Sequence, residues 1–371
     1  MSSLATECGQ NMQIGPRSTI EMMVGTNSRS WVSNCKAELT SVEIGSHLLP
    51  VTRTQYTEDN CYVCSPYASM VSYALYELQE VNHYTLRRIM RSLIYCLAPL
   101  LRAADIDRVI CVNNWMLSTN LYPNWKGEDL ENLTKRLIAQ NPDHAIILRS
   151  LNQYSNADLS NALWDADYLR VPSRQVYIYP TDGTQLQRAN TKRDLHLLHE
   201  NSEHRIVRHT ELTDDDDERI KQLYDQLYLE KYTPLNPQFT INLIRTWRKT
   251  GQLKFFGLRN RKGVLDGIAG CFIVDKTWTT PIVGYDMKLP QSAGLYRMLM
   301  ALIIEECKKR EVTLNLSSGA AQFKRLRGGL PEIECSAVYC KHLSFSRRLT
   351  WKFVSELLSH IGERVLVKFK L

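Results

Sequence analysis

The sequence predicts an α/β protein in two related halves, each a mixed central sheet flanked by helices. Three observations point there. Strand-type and helix-type segments alternate along most of the chain, which is the pattern of an α/β layer. At 371 residues the chain is too long for one ordinary hydrophobic core and fits two domains. The most strongly patterned stretch, from Thr279 to Leu316, reads as a strand, a turn, a helix and a strand in succession.

Composition narrows the class. A hydrophobic content of 44% and a charged content of 23% are those of a soluble globular protein. The longest apolar run, Leu93 to Leu101, is short and flanked by Arg91 and Arg102, so no membrane span is expected. The start, MSSLATECGQN, lacks the basic and apolar parts of a secretory signal. The 10 cysteines sit in apolar-looking segments, among them Cys96, Cys111, Cys271 and Cys307, which favours buried thiols in a reducing cytoplasm. Cys61-Tyr-Val-Cys64 has no second Cys or His pair at zinc-finger spacing, and His196 and His199 read as surface histidines, so no metal is expected. The net charge of +7 suits an anionic partner such as CoA, an acidic acyl carrier protein or RNA. The basic clusters at Lys192-Arg193 and Lys324 to Arg327 lack the aromatic companions of an RNA reader, which leaves nucleic acid unexpected unless it is a tRNA donor.

The elements follow in order. Residues 1–35 are rich in Ser, Gly and Met without periodicity and read as a partly disordered arm. Ala37 to Arg53 and Cys61 to Pro66 have strand composition. Ser72 to Leu101 is helical by the spacing of Leu75, Leu78, Val81, Leu86, Ile89, Leu93 and Leu97, with Pro99 marking its decline. A strand at Arg108 to Val112, a helix at Gly127 to Gln140, and strands at Ala145 to Leu148 and Gln175 to Tyr179 complete the first half, residues 36–187. A basic connecting helix lies in residues 188–205, and residues 206–371 repeat the plan. There Val207 stands in a strand, Thr213-x-x-Asp216 forms a capping box over a run of acids, and Glu218 to Tyr232 is a helix. Phe239 to Lys249 is a second helix, and Leu253 to Leu258 with Gly267 to Val274 form a hairpin across Asn260 to Gly263. After the Thr279 to Leu316 unit come a strand at Ser336 to Tyr339 and an amphipathic helix at Leu349 to Ile361.

The turn at Gln291-x-x-Gly294-x-Tyr296 opens into a helix whose N–H groups and dipole suit an anion. It resembles the Q/R-x-x-G-x-G/A turn by which GNAT-family acyltransferases hold the pyrophosphate of CoA, with Tyr296 in place of the small residue. Leu314-Asn-Leu-Ser317-Ser318-Gly319 followed by Phe323-Lys324-Arg325 and Gly328-Gly329 resembles the end of the FemAB-like branch, in which two GNAT-like halves are joined by a segment like Arg188 to His199. The resemblance is clear from about Asp214 to Leu358 and loose before it. It implies tandem GNAT-like domains, the first degenerate and the second catalytic.

On that resemblance the donor is acyl-CoA or an acyl-phosphopantetheine on a carrier protein. Its arm lies along Ile282, Val283, Gly284 and Tyr285, and its phosphates meet Gln291, Gly294, Leu295, Tyr296, Arg297, Lys324 and Arg327. The residues themselves offer the rest of the chemistry. Acyl transfer from a thioester needs a held carbonyl, a base for the incoming ammonium and an acid for the leaving thiolate. Asp286 stands just past the strand as a candidate base. Glu332 and Glu334 lie two apart on a strand, so both carboxylates share a face and suit a cationic amine or the role of base. Tyr285 and Tyr339 are candidate acids, and Ser317 and Ser318 candidate ligands of the acceptor. Ile282, Val283, Leu295, Met298, Leu299 and Met300 offer walls for an acyl tunnel. The expected activity is N-acyl transfer, long-chain fatty acyl included, to an amine of a small molecule or peptide, as in natural-product tailoring. A FemABX-type transferase using aminoacyl-tRNA and a non-catalytic binder of thioesters or peptides are the alternatives.

Overall fold

The computed structural model describes residues 16–81 and 83–363. Residues 16–35, expected to be loose, are packed onto the body. α1 (Pro16–Met23) buries Ile20 and Met23, and Trp31 and Val32 are buried beside them. The Thr240 N–H donates to the Trp31 carbonyl at 2.9 Å, tying the segment to the second half. Residues 1–15, the rest of the expected arm, lie outside the described residues.

β1 (Glu38–Ile44) and β2 (His47–Thr54) form a hairpin. The stretch from Cys61 to Pro66, expected as a strand, begins with a tight turn in which the Cys64 N–H bonds the Cys61 carbonyl at 2.9 Å. The side chain of Asn60 caps that turn by accepting from the N–H groups of Cys61 and Lys36, both at 2.9 Å. The helical run beyond it is broken. Short helical turns around α2 (Ala74–Glu77) end where Val81 turns extended, and α3 (Tyr84–Ala103) starts afresh with the His83 ring accepting from the Leu86 N–H. Pro99 lies inside α3 and does not end it. Pro99 and Tyr95 are both exposed, so the carbonyl that loses its intrahelical donor has solvent beside it.

β3 (Val109–Val112), α4 (Leu130–Gln140) and β4 (Ala145–Leu151) follow as expected. α5 (Gln153–Asp165) was not legible by periodicity, since its apolar positions are few; Asn152 caps it by accepting from the Ser155 N–H at 2.8 Å. β5 (Leu169–Tyr179) and α6 (Ala189–Glu200) lead into the second half. It comprises β6 (His204–Arg208), α7 (Asp216–Asp225) with wider turns on to Tyr232, α8 (Ile241–Thr250), β7 (Leu253–Asn260), β8 (Leu265–Val274) and β9 (Thr277–Tyr285). Then come α9 (Leu295–Lys309), β10 (Thr313–Asn315), α10 (Ala321–Arg325), β11 (Leu330–Tyr339) and α11 (Phe345–Leu357).

The two halves share one sheet of 11 strands in the order β1-β2-β3-β4-β11-β5-β10-β9-β8-β7-β6. Two strands cross over. β5, from the first half, pairs antiparallel with β10 of the second, and β11, the last strand among the described residues, is inserted antiparallel between β4 and β5. The sheet is therefore closed at its centre by strands from both halves. Helices cover both faces. α4 and α5 pack on one face of the first half and α6 and α9 continue that layer in the second. On the other face α3 and α11 cover the first half, and α7 and α8 the second.

Candidate active site

The centre of the sheet contains a fork. β10 pairs in parallel with β9 only at Thr277, Trp278 and Thr279. β9 then runs on to Tyr285 with β8 as its partner on the other side. The chain after β10 swings to β5, where the Leu316 N–H donates to the Tyr177 carbonyl at 3.0 Å and the Tyr177 N–H to the Ser317 carbonyl at 3.2 Å. Among the described residues, no strand pairs with the edge of β9 from Thr280 to Tyr285 on the fork side. Past it the turn reaches Gly294, held at φ +69°, and α9 begins, whose first N–H groups have no intrahelical acceptor.

An aromatic row crosses the region between the two prongs. Tyr285 lies 6.1 Å from Tyr296, and Tyr296 lies 4.8 Å from Phe323 of α10. The Arg327 guanidinium sits 3.4 Å from the centre of the Phe323 ring. Burial among these and neighbouring tyrosines pushes the Tyr296 hydroxyl well above its ordinary value.

Beside the fork base is a polar cluster built by both halves. Arg174 on β5 donates from Nε to Glu334 Oε1 at 2.8 Å, and from Nη2 to the Ser118 carbonyl at 2.6 Å and to Thr119 Oγ1 at 2.7 Å. Thr119 passes its own proton to Ser317 Oγ at 3.0 Å. Since a hydroxyl has one proton and two lone pairs, the Ser317 proton stays available to a ligand oxygen. Tyr62 and Ser118 share a hydrogen bond of 2.6 Å at the edge of the cluster. Glu332, one step along β11 on the same face as Glu334, is half-buried with no partner among the described residues, and burial raises its carboxyl above the usual range. Ser317 itself has φ +57°, a conformation unusual for a residue with a Cβ.

Residues 185–325 match the family described as acetyltransferase (GNAT) domain. This segment is a GNAT domain. The matched range takes in α6. The match covers less than half of the chain. No curated protein matches the sequence. Among solved structures, the C-terminal domain of a putative lysylphosphatidylglycerol synthetase from Agrobacterium fabrum is similar at 12% identity and a TM-score of 0.45, over 62% of this chain and 78% of that one. FemX is similar at 8% identity and a TM-score of 0.44, over 62% and 78%. A tandem GNAT protein from the clavulanic acid biosynthesis pathway is similar at 12% identity and a TM-score of 0.34, over 62% and 74%.

The fold brings together some of the expected residues and separates others. Ser317 and Glu334 are linked at the fork base through Thr119 and Arg174, and Glu332 lies two residues along β11 on the same face as Glu334. The register sets Glu332 beside Val176, which in turn neighbours the Ser317 segment. Gln291 is exposed at the turn and Gly294 caps α9, with Leu197 of α6 closing over it. Lys324, expected on a phosphate, points inward. Its Nζ donates to the carbonyls of Leu316 at 2.6 Å, Ser317 at 3.3 Å and Ser318 at 2.6 Å, and burial pushes its ammonium down to about 7. Arg297 and Arg327 are likewise committed, both through Nε to the buried carboxylate of Asp194, at 2.6 and 2.5 Å. Short α10 has one inward face, and its long cations thread back to the carbonyls and carboxylate beneath.

Asp286 is a clamped anion. Burial alone would raise its carboxyl, but the Arg219 guanidinium at 2.7 Å and the Lys288 N–H at 2.9 Å outweigh this and hold it below the usual range. Tyr285 stands at the far end of β9, four residues beyond the level of Glu332 and roughly 13 Å nearer the turn at strand spacing. Tyr339 is out of the site. It packs against Tyr168 and His342 at the other end of β11, roughly 17 Å along the strand from Glu334. The residues expected to wall an acyl tunnel are packed into the core. Ile282, Val283, Leu295, Met298, Leu299 and Met300 are all at most 4% exposed and form the core beneath the fork. Gly284 is needed because a Cβ there would fall 2.4 Å from the Leu223 backbone.

Tyr62, Ser118, Thr119 and Arg174 come from the first half and escaped the sequence reading. Arg174, a cation two residues ahead of the apolar run of β5, was the one legible signal among them.

GNAT domains in general bind acyl-CoA. The open β9 edge, Gly294 and the α9 terminus fit a pantetheine arm and its phosphates, while Tyr296 and Leu197 narrow the approach.

Proposed function

We propose that the fork receives the thioester arm of acyl-CoA or of an acyl carrier protein, and that the acyl group passes to an amine of a small molecule or peptide at the Ser317–Glu332 level. The observation that carries this reading is the unpaired β9 edge opening onto Gly294 and α9 beside a half-buried carboxylate without a partner. The thioester supplies an already activated carbonyl. The backbone of Ile282 to Tyr285 offers it donors and acceptors, and the N–H groups at Leu295 to Arg297 face the phosphates.

Glu332 acts as the base. Its raised carboxyl is better matched to an ammonium near neutrality than an ordinary exposed glutamate, and among the described residues nothing competes for its oxygens. The Arg174–Thr119–Ser317 chain aims one charge-assisted O–H at the oxygen that gains charge during transfer, which favours the transition state over the ground state. Glu334 keeps Arg174 oriented for that purpose. Asp286 is the poorer base because its charge is already spent on Arg219.

The test is a panel of acyl-CoAs and carrier-bound thioesters against primary amines, read by thiol release and by mass. Glu332→Gln is expected to lower kcat by about 10² to 10⁴ fold, the usual range for a general base. It is also expected to remove an acid limb of the kcat/KM profile that lies above the ordinary glutamate range. Absence of turnover with every thioester, with product forming from aminoacyl-tRNA and lost after RNase, would replace this donor by the tRNA one.

A further inference from the structure

We infer that a cavity in the first half binds an unbranched aliphatic chain whose polar end lies at the Glu334–Glu332 carboxylates. The identity of the head group rests on the acyl-transfer reading, whereas the chain site rests on the cavity alone. The cavity has a volume of about 220 Å³ and lies between the sheet, α3, α11 and the helical turns before α2. Met90, Ile94, Leu97, Val338, Trp351 and Val354 are among its walls. Apolar cavities of about 150 Å³ already hold a benzene ring and stay dry when empty, because water finds no partners on such walls.

Tyr62, Arg149, Ser173 and Ser336 also line the cavity and lie on its side toward Glu334 and Arg174. Ser173 Oγ donates to the Glu334 carbonyl at 2.9 Å, and Tyr62 is bonded through Ser118 to the residue pair that Arg174 holds. β11 runs from the cavity wall toward the two carboxylates, which lie beyond its lining. By strand alternation Val338, Ser336, Glu334 and Glu332 point to one face, so two cavity residues lead in steps of roughly 7 Å to the clamped carboxylate and then to the free one. A narrow hydrocarbon tail with a polar head matches this sequence of surfaces. Methionines at Met70 and Met90 supply walls that adapt to such a tail. The residues expected to line a tunnel at the fork are packed core instead.

Two sources of the chain are chemically equivalent here, the donor's acyl group and an alkyl amine acceptor, and the experiment separates them. The full chain is titrated with dodecanoyl-CoA and with dodecylamine, each brominated near the methyl end, and tryptophan fluorescence is followed. Trp351 forms part of the wall, so saturable quenching is expected, and it is expected to fall sharply in Trp351→Phe. Ala74→Phe and Val171→Phe fill the cavity from opposite walls and are each expected to weaken binding at least tenfold. In the parent, calorimetry with hexyl to dodecyl members of each series is expected to show affinity rising about fourfold per methylene, the value of ~0.8 kcal/mol for each one buried. This measurement needs no variant to fold. Binding by the thioester alone places the chain on the donor, by the amine alone on the acceptor, and by both leaves the cavity open to either. Affinity independent of chain length in both series, or quenching undiminished in Trp351→Phe, overturns the inference. Chain binding without turnover of any thioester sinks the acyl-transfer reading and leaves the cavity site standing.

Discussion

Replacing Arg174 by Met tests the polar cluster most directly. The Arg174 side chain is 16% exposed and that of Glu334 is 3% exposed, so the pair sits where water cannot compensate either charge. Arg174→Met keeps the aliphatic stem but strips Glu334 of its Nε and Nη2 donors and leaves the Ser118 carbonyl and Thr119 Oγ1 short of one. Breaking a buried pair from one side typically costs about 3–5 kcal/mol, because the remaining charge has lost its partner but not its burial. The double variant Arg174→Met with Glu334→Leu removes both charges and is expected to recover to within about 1–2 kcal/mol of the parent. Urea unfolding followed by both fluorescence and circular dichroism, extrapolated linearly, reads these differences. Activity is expected to separate from stability. Both variants lose the chain that orients the Ser317 hydroxyl, so kcat stays low even where stability returns. A single variant costing under about 1 kcal/mol, or a double variant as unstable as the single, would refute the assignment of a buried clamp.

Two further outcomes are expected. Gly294→Ala forces a Cβ into the left-handed region and to 2.6 Å from Leu197, so it should destabilise by about 1–2 kcal/mol for the backbone alone and raise KM for thioesters with little change in kcat; an unchanged KM would detach the turn from donor binding. His209, pushed down to about 4 by burial and by the nearby Lys254 and Arg248, is neutral when folded at pH values where the unfolded chain still binds its proton. Stability should therefore rise with pH between about 4 and 6.5, and the slope should shrink in His209→Gln; an unchanged slope would assign the effect elsewhere.

Much of this molecule was legible in local pattern. The strand, turn, helix and strand from Thr279 to Leu316, the hairpin across Asn260 to Gly263, and the shared face of Glu332 and Glu334 all follow from periods of two and about four, which neighbouring residues impose on one another. Gly294 announced its turn for the same reason, since its backbone requirement is its own.

What local pattern does not contain is which strand lies beside which. The sequence could place β11 near the end of the chain but not between β4 and β5, because pairing across that distance is decided by the burial of whole faces. That insertion sets Arg174 against Glu334 and leads one strand from the cavity to the carboxylates. The same distinction explains Lys324, Arg297 and Arg327, whose charges marked them as ligands of an anion until the fold showed three carbonyls and Asp194 already holding them. Residue type and spacing fixed the chemistry on offer, and tertiary packing decided which of those groups were already satisfied and which, like Glu332, were left free to act.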